Sequence, residues 1–292
     1  MSVIQALLLG VLLGGVYSLL ASGLSLIFGV MRVVNIAQGA LLILGAFLSW
    51  TLWSRFDLDP ILGTVVVAPV MFALGYLMYY AAVRRIAQAP LASSVLLTVG
   101  IALVVEGGIG FVWGNDSHAI LPSYGDESYF LGDLVIPKTY LFGFLMAGGV
   151  LAALGAIISR TWTGRAIRAA SVNAEGARLV GVDVTRVAAT AMGLGVATAG
   201  AGGAIVGVLY PFVPGAHYEW IARLLGIVVL GGLGSMSGAA LGALLFGVAE
   251  VVTSTYVSPA WATAIPFVVI CLILLLRPQG ILGRRAREDL AA

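Results

Sequence analysis

Arg32, Asn35 and Gln38 interrupt two apolar runs in GLSLIFGVMRVVNIAQGALLILG, residues 23–45. Inside a membrane each of these side chains needs a partner away from lipid, because an unpaired polar group in hydrocarbon is costly. Broken helices persist in a bilayer only where protein covers them or a water-filled cavity lies beside them. The segment therefore reads as a helix break beside a passage, or as a short connector with Arg32 at the membrane surface. If helical, Asn35 and Gln38 share a face that continues through Leu42 and Gly45. Amide groups that both donate and accept, set among apolar positions, suit weak contact with a zwitterion bearing an aliphatic side chain. The competing reading makes Asn35 the N-cap of the second run. Arg32 is expected to satisfy carbonyls at the break or to pair with Glu250.

Other reactive chemistry is absent from the pattern. A phosphate-binding loop needs G-x-x-x-x-G-K-[ST], and the one lysine, Lys138, lies outside any such motif. His118 and His217 are isolated and read as solvent or interface residues. Cys271 sits alone in an apolar run, and no cluster has metal-ligand spacing. No catalytic, metal or cofactor site is expected in this chain. Any energy for work must come from an ion gradient or a partner.

The elements that must position these residues are membrane helices. The chain has 292 residues, 61% hydrophobic and 10% charged, with a mean hydropathy of +1.08, far from the soluble average of about 25% charged. A span needs about 20 apolar residues, and qualifying segments lie near 3–30, 36–54, 60–83, 91–112, 139–158, 187–210, 238–257 and 260–277. The start lacks a basic n-region and reads as a retained first helix. Pro69 and Pro266 lie inside spans and are expected to kink them. Residues 220–234 are apolar but short, and read as a short or half helix. The fold class is thus all-α, polytopic, a single domain over 1–292 with about eight or nine transmembrane helices.

Internal similarity supports broken helices. IVVLGGLGSMSGAALGALLFG (227–247) resembles LIFGVMRVVNIAQGALLILGA (26–46) in its apolar run, small polar break and second apolar run, a weak repeat of the kind that places transporter sites at the repeat interface. If 220–234 crosses the membrane, the N-terminus is outside; if it re-enters, the N-terminus is inside. Arginines crowd at Arg84 and Arg85, over 160–186, and in the tail at Arg277, Arg284, Arg285 and Arg287. The positive-inside rule makes these regions cytoplasmic, with an external loop at about 113–138 containing a short strand near 129–136. Nucleic-acid binding does not fit, because the basic residues alternate with spans.

The inner loop, about 159–187, reads as an amphipathic stretch. Ile167, Ala170, Ala174, Ala177 and Leu179 to Val180 fall on one helical face, with Arg165, Arg168, Glu175 and Arg178 turned elsewhere. Gly176 and Gly181 are expected to divide it into two short helices. Its small alanine face suits a groove on another protein better than lipid. Glu106, Arg223 and Glu250 are either relay or pairing groups within the membrane or span-end residues that reach water. A gradient-driven transporter would use the first arrangement, but would not need the inner loop. A channel would need a pore-lining ring and no motor.

GLSLIFGVMRVVNIAQGALLILGAFL, GRAIRAASVNAEGARLVGVDVTR, LGGLGSMSGAALGALLFGVAE and LRPQGILGRR together resemble the signatures of LivH-type permeases of ABC importers for branched-chain amino acids. Gln38 departs from that family pattern, which has histidine there. The resemblance implies a multi-pass permease of the bacterial inner membrane with a cytoplasmic C-terminus. It implies pairing with a LivM-type second permease, two cytoplasmic ATPases that carry ATP and Mg, and an external substrate-binding protein. It further implies that Arg165, Arg168, Glu175, Ala177 and Gly181 belong to an ATPase-coupling helix. Branched-chain or other hydrophobic amino acids are the implied solutes, with urea, short amides or aromatic compounds as the alternative.

Overall fold

The computed structural model describes residues 2–86 and 89–283; Arg284, Arg285 and Arg287 of the last motif lie outside the described residues. The elements are α1 (Val3–Met31), α2 (Gln38–Phe56), α3 (Pro60–Ala81), α4 (Leu91–Trp113), β1 (Ser128–Leu131), β2 (Leu134–Pro137), α5 (Lys138–Arg160), α6 (Trp162–Val172), α7 (Ala174–Leu179), α8 (Val184–Leu209), α9 (His217–Gly231), α10 (Met236–Tyr256) and α11 (Ala264–Leu276). Among the described residues, seven helices, α1 to α5, α8 and α10, are long and apolar enough to cross a membrane. The protein is an all-α, multi-pass membrane protein with one small antiparallel hairpin, β1 to β2.

Several expectations are revised. The segment 260–277 does not form one span-length helix: a 3-10 turn at Pro259–Trp261 precedes the 13-residue α11. Pro266 therefore falls in the first turn of α11, where a missing N–H costs little. Pro69 lies inside α3, which nevertheless runs unbroken. The strand expected near 129–136 is a two-stranded hairpin. The inner loop divides at Asn173, whose side chain caps α7 by accepting the Gly176 N–H at 2.9 Å; Gly176 lies inside that helix.

Close backbone packing organises the bundle. A Cβ at Gly14 would stand 2.7 Å from the Cα of Leu244, and one at Gly10 would stand 2.6 Å from the Cα of Val248. These pairs run in opposite sequence directions, so α1 and α10 are antiparallel and pressed together, as small residues allow in membranes. Enclosed α8 forms the centre, touching α1, α2, α3 and α5.

Contacts between distant segments fix which ends lie together. Gln5 Nε2 donates to the Val135 carbonyl at 3.1 Å. The His118 N–H donates to the Phe212 carbonyl, and the Phe212 N–H to that of His118, at 2.9 and 2.8 Å. The start of α1, the loop 113–137 and the turn before α9 thus share one end. Gly29 meets Gly234 at the other end, where α6 packs near Leu26. Helix α9 runs from the first end to the second although its 15 residues rise only about 22 Å. The N-terminus consequently lies on the side of the 113–137 loop.

Candidate functional site

The break between α1 and α2 follows from its caps and its side chains. Arg32 ends α1 in the left-handed conformation, φ 54°, and its N–H donates to the Phe28 carbonyl at 2.8 Å. Its side chain is exposed, so the expected pairing with Glu250 is not formed. Thr98 of α4 braces the extended residues that follow: its hydroxyl accepts the Ile36 N–H at 3.2 Å and lies 3.1 Å from the Val34 carbonyl. Backbone groups freed by the break therefore find a side chain rather than lipid.

Asn35 and Gln38 are fully buried and joined. Asn35 Nδ2 donates to Gln38 Oε1 at 3.0 Å, and Gln38 Nε2 donates to the Gly195 carbonyl at 2.9 Å. That carbonyl also accepts from the Thr198 hydroxyl at 2.8 Å. Gly23 of α1 completes the crossing, since a Cβ there would collide with the Thr198 hydroxyl oxygen. The N-cap of α2 is Ala37, so Asn35 is neither cap nor helical.

Leu42 and Gly45 continue inward. Leu42 is fully buried, and a Cβ at Gly45 would stand 2.5 Å from the Gly200 Cα. The stripe through Asn35, Gln38, Leu42 and Gly45, expected to line a passage, is therefore a packing seam against α8. Its polar members settle the broken backbone, and its small member admits the neighbouring helix.

A second buried polar group joins α1, α9 and α10. Arg223 Nη2 lies 3.3 Å from Glu250 Oε1, while the Tyr17 hydroxyl donates to Glu250 Oε2 at 2.9 Å. The guanidinium also lies over the Trp220 ring, 4.7 Å from its centroid. Both charged residues are buried, so neither is a span-end residue reaching water. The sequence named both ends of this pair but not the pairing, because α9 is what brings position 223 opposite position 250.

At the other end of α9, His217 is 2% exposed and its Nε2 lies 3.0 Å from Glu106 Oε2. His217 is thus a buried residue, not a solvent one. His118 is edge-on to Trp50 and Phe47, which anchors the loop 113–137 to α2. In that loop, burial and the neighbouring Asp59 carboxylate push the Tyr124 phenol well above its ordinary range.

The inner elbow is built from α6 and α7, each with a side-chain cap, Thr161 on the Gly164 N–H and Asn173 on the Gly176 N–H. Ile167 and Ala170 pack on Leu26, Leu154, Val187 and Ala191. Ala177 is 4% exposed, so its side chain faces the protein's own bundle instead of an outside groove. Arg165, Arg168, Glu175 and Gly181 are exposed, and Gly181 has φ +85° with open space on the side where a Cβ would stand. The outward apolar residues are Trp162, 71% exposed, Val172, 79%, Leu179, 89%, and Val180, 79%.

Residues 6–274 match the family described as branched-chain amino acid transport system / permease component. The chain is similar to the high-affinity branched-chain amino acid transport system permease protein BraD of Pseudomonas aeruginosa, at 29% identity over 96% of each chain. It is similar to LivH of Escherichia coli K12, a permease protein of the same description, at 26% identity over 96% of each chain. The probable branched-chain amino acid transport permease protein LivH of Methanocaldococcus jannaschii is 26% identical over 91% of this chain and 88% of that one. No solved structure matches.

Proposed function

The chain belongs to the family of branched-chain amino acid transport system permease components, and on that premise we propose that it is the membrane-spanning subunit of an ATP-driven importer for branched-chain or other hydrophobic amino acids. The solute arrives on an external binding protein. A LivM-type second permease completes the membrane part, and two cytoplasmic ATPases bind ATP and Mg and drive it. The complex belongs to the bacterial inner membrane, with this chain's C-terminus and the α6–α7 elbow on the cytoplasmic side. The arginine-rich distribution supports that orientation.

The observation that carries the proposal is the elbow. Two capped helices rest their alanine face on the bundle and leave Trp162, Val172, Leu179 and Val180 exposed, as are Arg165, Arg168, Glu175 and Gly181. Exposed apolar and charged side chains on one short elbow at a membrane surface fit a protein groove. Arg165 and Arg168 with Glu175 supply the rim, and Ala177 holds the elbow to the permease, so a push on the elbow reaches α1 and α8 directly. A gradient-driven carrier has no use for such a handle.

The test uses the four-component complex in proteoliposomes. Val180→Asp is expected to lower ATP-dependent leucine uptake by about tenfold or more, the loss of one buried apolar anchor at an interface, while the purified permease melts within about 2 °C of the native protein, as for an exposed substitution. Uptake at the native level, with vanadate-sensitive ATP hydrolysis intact, would remove the elbow from coupling. Uptake that ignores ATP altogether would remove the importer reading.

A further inference from the structure

Glu106 is the carboxylate that the packing leaves partly open. It lies in α4, about two turns before Trp113, and therefore within the outer part of an apolar span. One oxygen is fully used: Oε2 accepts from His217 Nε2 at 3.0 Å and from the Tyr218 hydroxyl at 3.2 Å. His217 Nδ1 is buried without a partner, so the ring proton belongs on Nε2, where the carboxylate takes it. The other oxygen, Oε1, accepts no hydrogen bond among the described residues. The side chain is 27% exposed.

A carboxyl oxygen at this depth is not left against lipid. It calls for water or a donor group to face it. From Tyr218, 55% exposed, the same face of α9 continues through exposed Ala222 and the half-buried Leu225 and Val229 as an aliphatic strip. The cation of the region, Arg223, is turned inward and closed on Glu250. Glu219 adds a second exposed carboxylate one residue beyond Tyr218. Acidic groups above an aliphatic strip match a solute with an ammonium group and an apolar side chain. The geometry of the oxygens adds direction: His217 and Tyr218 hold one, which aims the other.

Resting on the importer reading above, we propose that Glu106 Oε1, steadied by His217 and Tyr218, receives the ammonium group of the amino acid as it leaves the binding protein. The aliphatic strip of α9 then carries the side chain inward. A single charge-assisted contact orients the solute without holding it for long.

The experiment uses the complete complex in proteoliposomes at saturating binding protein, with leucine as the probe, and reads amino acid imported per ATP hydrolysed. Glu106→Gln keeps the acceptor for His217 and Tyr218 but loses the charge. It is expected to lower that ratio by about tenfold, the scale of one hydrogen bond to a charged group, with binding-protein-stimulated ATP hydrolysis within about twofold of native and assembly unchanged, because the ATPase handle lies at the opposite end. An unchanged ratio overturns the proposal. So does dissociation of the two permeases in detergent with uptake and hydrolysis falling together, which would make Glu106 a contact with a basic residue of the second permease. Should Glu106→Gln not assemble, Tyr218→Phe carries the test, since it removes one exposed hydroxyl. A ratio about threefold lower then supports the proposal, and a native ratio overturns it. Failure of the unaltered complex to import leucine with ATP would instead count against the importer reading itself.

Discussion

The two helix breaks meet one requirement with different chemistry. Between α1 and α2, backbone groups released by the break are met by side chains: Thr98 accepts the Ile36 N–H, and Asn35 and Gln38 tie the turn to the Gly195 carbonyl. Between α9 and α10 the Ser235 hydroxyl accepts the Gly238 N–H at 3.1 Å, and the last carbonyls of α9 are met by backbone. The Ile281 N–H donates to the Leu230 carbonyl at 2.8 Å and the Leu282 N–H to that of Gly231 at 3.1 Å. Glycines permit this approach, since a Cβ at Gly280 would stand 2.6 Å from the Gly232 nitrogen. Both breaks lie at the same end of the bundle, where Gly29 touches Gly234. A break can thus be sealed by side chains alone or by a capping hydroxyl together with another segment's main chain.

Arg223 pairs with Glu250 inside the second hairpin, and Glu250 in turn accepts from Tyr17 of α1; removing the arginine gives the largest effect. Arg223→Met leaves Glu250 buried without its ion-pair partner, held by the Tyr17 hydroxyl alone, with an expected loss of about 3–5 kcal/mol in thermal or denaturant unfolding of the purified permease. Adding Glu250→Leu should restore much of that loss. A native melting temperature in the single variant would mean that α9 is fixed by its glycine contacts alone.

Next comes the side-chain seal. Asn35→Asp sets an acceptor against Gln38 Oε1 in a fully buried site, for an expected cost of about 3 kcal/mol. An N-cap would accept aspartate without loss, so unchanged stability would return Asn35 to the capping role that the geometry denies it. Thr98→Val is the smallest of the three, about 1 kcal/mol. It sharpens the comparison through position: hydrogen exchange should quicken at the Ile36 amide and stay as it was at Ile281 and Leu282.

Much of the site was legible where chemistry is carried by side-chain type. Arg32, Asn35 and Gln38 marked the first break because polar groups in an apolar run demand partners, and the arginine-rich segment marked the elbow. The direction in which those residues face was not legible. Asn35, Gln38, Leu42 and Gly45 have the composition of a passage lining and of a packing seam alike, and the position of α8 decides between them. Ala177 looked equally suited to a partner's groove and to the protein's own bundle. The His217 pairing with Glu106 joins residues far apart in sequence, and neither carries a local sign of the other.

By itself the sequence determined that this chain crosses a membrane several times, breaks its helices at two related places and carries an arginine-rich amphipathic segment between spans, because hydropathy, glycine content and charge placement act locally along the chain. Tertiary structure alone decided that Glu250 pairs with Arg223 and not Arg32, that the N-terminus shares an end with the loop 113–137, and that one intramembrane carboxylate is closed while the other stays open. Those outcomes depend on which helices touch, and in a bilayer that is set by close packing and mutual satisfaction of polar groups across the bundle, which no single segment encodes.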